Sequence, residues 1–214
     1  MNDKEIGLKL EKAVQVRESG KLVESARLFT ELVSQVRQTD GKVYLAVMAE
    51  YVIQLRLEGK EKIELAAELG EKLWREFPSE PMAIRSYVHP MVDLGGFEGA
   101  EELLRQMCAF FPDNSLRQGE AQAHLANVLM RIGKIDEAKK LILISTENIR
   151  KNTSRESYVE QREAYALLVE ALVLRMSGDV VQAKKFAEEA LEVARRGKAV
   201  FRIKQAEEVL KLFD

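Results

Sequence analysis

The sequence predicts an all-α chain of stacked helix-turn-helix repeats, and three observations carry that expectation. The composition suits helix: 46% of the 214 residues are apolar and 32% charged, with 12 Gly and only 4 Pro, a balance rich in residues that lose little side-chain freedom in a helix. A turn of the form Gly-x-apolar-x-x-small recurs along the chain. Between the turns, apolar residues fall at helical steps, and strand formers are not gathered in alternating runs.

The turn is clearest at Gly95-Gly96-Phe97, which leads to Ala100 and, twelve residues on, to Pro112. Glycine accepts the left-handed backbone that closes a helix and lets the chain double back. The small residue lets two helix backbones approach, and proline stops the second helix at the residue before it. Ala66 and Pro78 repeat this spacing 34 residues earlier, which is the period of a helix-turn-helix repeat. The turn returns as Gly20-Lys21-Leu22 before Ser25, Gly133-Lys134-Ile135 before Ala138, and Gly178-Asp179-Val180 before Ala183. The small residues at 25, 66, 100, 138 and 183 are thus separated by 41, 34, 38 and 45, so strict period holds only in the middle of the chain.

Four and seven residues after each small position stand Phe29 and Leu32, Gly70 and Leu73, Leu104 and Met107, Ile142 and Ser145, and Ala187 and Ala190. With the turns, these residues resemble the tetratricopeptide repeat (TPR) family over about residues 5–196. The resemblance implies a single domain over 1–214, a right-handed superhelical solenoid. Its five repeats are expected at 3–37, 41–78, 80–112, 116–150 and 156–196, closed by a capping helix at 199–212.

The elements follow in order. Repeat one pairs helices 3–19 and 22–37; Leu22, Ser25, Phe29, Leu32, Val33 and Val36 share one face of the second, while Lys12 stands in the first where the family has a large apolar residue. Repeat two pairs 41–58 with 61–76, and Gly59-Lys60 falls two residues too early for Ala66, which predicts a longer turn. Repeat three pairs 80–94 with 97–110; Pro90 removes a backbone bond inside the first helix and predicts a kink that either sets the curvature of the stack or opens the groove beside His89. Repeats four (116–132, 135–149) and five (156–177, 180–195) lack a closing proline and are joined through Ile149 to Arg155. The last helix turns Val200, Ile203, Val209, Leu210 and Phe213 inward and Lys204, Glu207, Glu208 and Lys211 to water, as a terminal cap must.

Charge and chemistry narrow the function. Lys plus Arg (33) nearly cancels Asp plus Glu (35), for a net charge of -2 and a pI near 5.9. No global field draws in a polyanion, so nucleic acid is not expected as the partner. The chain has no run of about 18 apolar residues to span a membrane and no apolar stretch after Met1–Glu5, so a cytoplasmic protein without membrane attachment is expected. The basic run Arg195, Arg196, Lys198, Arg202 and Lys204 reads as charge at a helix end complementing the dipole. Cys108, the only cysteine, lies on an apolar helical pattern and reads as an inert thiol. Two histidines and one cysteine support neither a triad nor a zinc site; His89, His124 and Asp93 lack any paired motif, so no catalysis, metal or cofactor is expected.

The resemblance implies that the first helix of each pair lines a concave groove where a ligand binds. It assigns to that groove Glu50 and Gln54 of repeat two, Arg85, Ser86, His89 and Asp93 of repeat three, and His124, Asn127 and Arg131 of repeat four. Such side chains suit an extended peptide, above all one with carboxylates. The clamp of Lys and Asn by which some family members hold chaperone C-termini is not matched, because Leu10 and Val14 stand in its place. The expected function is therefore a non-enzymatic scaffold for a peptide or protein segment. The alternatives are a structural module that forms a homo-oligomer or joins a larger assembly through exposed apolar residues near Trp74 and Phe110-Phe111, and a peptide-sensing regulator.

Overall fold

The computed structural model describes residues 2–37, 41–152 and 159–213, and among them are eleven α-helices and no strand. They are α1 (Asp3–Glu18), α2 (Leu22–Gln35), α3 (Lys42–Glu58), α4 (Ile63–Glu76), α5 (Pro81–Asp93), α6 (Phe97–Ala109), α7 (Leu116–Arg131), α8 (Ile135–Lys151), α9 (Val159–Met176), α10 (Val180–Arg196) and α11 (Val200–Leu210). Each expected helix is present. The end of the joining segment, through Arg155, and the expected start of the ninth helix lie outside the described residues. The chain divides into two compact units, Met1–Gly96 with α1 to α5 and Phe97–Asp214 with α6 to α11.

The turns behave as their glycines require. Gly133 and Gly178 have φ of 82° and 90°, the left-handed backbone that a side chain would strain. After Gly59 a short 3-10 turn, Lys60–Lys62, takes up the extra length foreseen before Ala66.

Unit 1 is built around Phe29, Leu32, Leu55, Ala66, Leu73 and Ala83. Its buried residues include the polar Ser25 and Gln54. The Ser25 hydroxyl lies 3.0 Å from the Ala13 carbonyl oxygen and 2.9 Å from Gln54 Oε1. Gln54 Nε2 donates to the Leu22 carbonyl at 3.2 Å and to Glu58 Oε1 at 3.1 Å, so the amide serves the interior. The α4–α5 contact is closer still. A Cβ added at Gly70 would stand 2.3 Å from the Ser86 carbonyl oxygen, and this is the carbonyl for which Pro90, four residues on, has no N–H to offer.

In unit 2, Leu129, Ile142, Ile149 and Leu167 are fully buried. Ser145 Oγ donates to the Gly119 carbonyl at 2.6 Å, tying α7 to α8. The C-terminal helix packs as expected of a cap: Ala199 and Ala206 are buried, Ile203 and Val209 pack beside them, and Lys204, Glu207, Glu208 and Lys211 are exposed.

Candidate functional site

The expected ligand-facing residues lie on first helices, and within unit 1 those are α1, α3 and α5. Arg17 of α1 is 4% exposed and donates Nη2 to Glu50 Oε2 at 2.7 Å, with Nε to Glu18 at 3.0 Å. Arg85 of α5 donates to the other Glu50 oxygen at 3.2 Å. One carboxylate on α3 is therefore shared by two arginines from its two neighbours. Further along, Arg56 of α3 grips Asp93 of α5 through two bonds of 2.6 and 3.1 Å. Glu50, Arg85 and Asp93 thus form ties between helices, with the half-buried His89 one turn after Arg85.

Two expectations need correction. Gln54 and Ser86, expected to line the groove, are 0% and 2% exposed and so face the interior. Gln54 is drawn inward by Ser25 and the Leu22 carbonyl, partners that lie a repeat earlier in the chain. Ser86 satisfies its hydroxyl on the Met82 carbonyl at 2.8 Å, which lets a small polar residue sit at the contact with Gly70.

In unit 2 the first helices are α7 and α9, with the cap α11 packed after them. The His124 ring lies 4.5 Å from that of Tyr165, centroid to centroid, and the Arg202 guanidinium is 4.5 Å from the same ring. One tyrosine on α9 therefore joins α7 to α11. Glu120 and Arg162 pair at 3.0 Å beside it. On the next turn of α7 stand Asn127 and the exposed Arg131, whose Nε is 3.5 Å from Asn127 Oδ1 and whose guanidinium lies 5.5 Å from the Phe97 ring. Among the described residues no carboxylate engages Arg131.

The sequence reading missed Arg17, Arg162 and Tyr165. Arg17 had one usable signal, a position one helical turn after Ala13 on the inward face of α1. The basic run proves more specific than a dipole complement: Arg195 meets Glu207 and Arg196 meets Glu163, each at 3.7 Å, while Arg202 goes to Tyr165. Trp74 is not the exposed apolar residue expected. It is half-buried and stacks on Tyr87 at 5.4 Å and 19°, whereas Phe110 is 44% exposed. Burial pushes the Cys108 thiol up to about 11, which suppresses the thiolate at neutral pH.

Among the described residues no group of three or more His, Cys, Asp or Glu is arranged to hold a metal, and no helix is long and apolar enough to cross a membrane. No protein-family model and no curated protein matches the sequence. Solved structures do match. A Podosopora anserina protein of nearly identical TPR-like repeats, of the kinesin light chain kind, aligns at 18% identity over 91% of this chain and 98% of its own, with a TM-score of 0.62. A point variant of that protein aligns at 18% identity over 92% and 98%, with a TM-score of 0.63. MamA of MSR-1 aligns at 17% identity over 90% and 98%, with a TM-score of 0.51. At these identities the likeness establishes the fold, which is a TPR-like helical repeat.

Proposed function

We propose that the chain is a non-catalytic interaction scaffold that holds a peptide or protein segment against the first-helix face of unit 2. Asn127 and Arg131 are its anchors, with His124 on the turn before. The observation that carries this reading is Arg131, an exposed guanidinium set over Phe97 with no carboxylate of the described chain engaging it. Arginine offers a planar fork suited to a carboxylate, and an asparagine amide pairs with peptide backbone. In unit 1, Glu50, Arg85 and Asp93 would fix the spacing of the helices and shape the surface while contacting the ligand less.

The test is partner capture from cell lysate with the wild-type chain and with Asn127→Ala/Arg131→Ala, checking by circular dichroism that the variant melts like wild type. Loss of a captured protein in the folded variant is expected. Equal capture by both would remove the site from this face. A second reading, self-association, is favoured by Phe110, Leu143 and Ile144 of unit 2, which are 44%, 51% and 47% exposed. A monomeric mass at high concentration would dismiss it.

A further inference from the structure

Glu170 sits in the middle of α9 with 2% of its surface exposed. On its own helix the residues three and four positions away, Ala166, Leu167, Val173 and Leu174, are all buried and apolar. Across the seam α8 presents Thr146, whose hydroxyl donates to Glu170 Oε2 at 2.8 Å. Thr146 is itself flanked, one turn either way, by buried Ile142 and Ile149.

The charged groups around this carboxyl are Arg150 of α8 and Glu189 of α10. They are engaged with each other: Arg150 binds Glu189 through Nη2 and Glu163 of α9 through Nε at 3.3 Å. Among the described residues, α7 and α11 bring no charged side chain into bonding reach of Glu170. Their His124 and Arg202 go to Tyr165 instead.

An ionised carboxylate here keeps one neutral hydroxyl donor where it needs several, and its nearest cation is already shared between two other acids. The protonated acid is uncharged and still exchanges a hydrogen bond with Thr146. We propose that Glu170 holds a proton in the folded protein and that giving it up loosens the α8–α9 seam, making the Glu170–Thr146 pair a pH-responsive latch inside unit 2. Burial pushes the carboxyl up, opposed in part by the Thr146 bond and by Arg150. Because the folded protein then binds this proton more tightly than the unfolded chain, the carboxyl's stabilising share is fully present below the unfolded value of about 4.3. It is lost as pH rises through the raised folded value.

The experiment is amide hydrogen exchange on the whole chain from pH 4.5 to 8, comparing wild type with Glu170→Gln, which keeps the shape in a neutral form. Protection factors in α8 and α9, corrected for intrinsic exchange, should fall in wild type by up to about tenfold per pH unit across the titration and stay level in the variant. The same pH trend in both proteins overturns the latch. Should the variant fail to fold, the Glu170 carboxyl carbon of wild type, followed by NMR, decides by itself. A midpoint above about 4.3 supports the proposal, and one at or below that value overturns it.

Discussion

In unit 1 the first helices α1, α3 and α5 are tied by carboxylates, Glu50 shared between Arg17 and Arg85 and Asp93 held by Arg56, whereas in unit 2 the Glu120–Arg162 pair ties α7 to α9 and one aromatic ring, Tyr165, carries the link from α7 on to α11. The two solutions spend their charges differently. Carboxylate ties consume the arginines of the face they hold, and a buried cation such as Arg17 then depends on its partners. A ring can gather an imidazole and a guanidinium while leaving a nearby cation, Arg131, exposed. The face best equipped to recognise an outside acid is therefore the one where a ring takes over part of the holding.

The contrast can be broken most forcefully at Glu50. Replacing it by alanine leaves the buried Arg17 guanidinium with Glu18 as its carboxylate partner, and unit 1 should lose about 3 kcal/mol. Urea unfolding with amide exchange read separately in each unit would show this, with little relief from added salt because the pair is shielded from solvent. Scarcely smaller is the effect expected at the helix contacts. Gly70→Ala should cost about 2 to 3 kcal/mol, since the new methyl meets a backbone carbonyl, while Gly119→Ala should cost about 1 kcal/mol. The second methyl would stand 2.9 Å from Ile149 Cγ1 and 3.1 Å from the Ser145 carbonyl oxygen, a looser approach than the 2.3 Å at Gly70. Equal losses at the two glycines would show that the contacts do not differ in kind. Smallest is Tyr165→Leu, which removes the ring but keeps apolar volume and should cost about 1 kcal/mol in unit 2, read from its thermal melt. A loss as large as that at Glu50 would mean the ring does far more than join its neighbours.

Most of the fold was legible because helix punctuation is local. Gly20, Gly95, Gly133 and Gly178 mark turns that each close within a few residues, and the small residues at 25, 66, 100, 138 and 183 are all buried where helices meet. The site was less legible because polarity in a sequence does not reveal the partner. Gln54 reads as a surface amide until Ser25, 29 residues earlier, is brought against it. Glu50 reads as a ligand-facing acid until Arg17 and Arg85, 33 and 35 residues away, claim both oxygens. Trp74 likewise had no visible reason to pack until Tyr87 on the next helix supplied a ring. Asn127 and Arg131 kept their surface character because their partners, each other and Phe97, leave the guanidinium outside.

The contact between Gly70 and the Ser86 carbonyl also constrains how this chain can be altered or recombined. A side chain at 70 needs the carbonyl moved. Restoring an N–H at 90 would give that carbonyl the helical donor it lacks and so change what stands opposite the glycine. Positions 70, 86 and 90 therefore change profitably only together, and a repeat grafted in or out of this region carries its neighbour's proline as part of its own boundary.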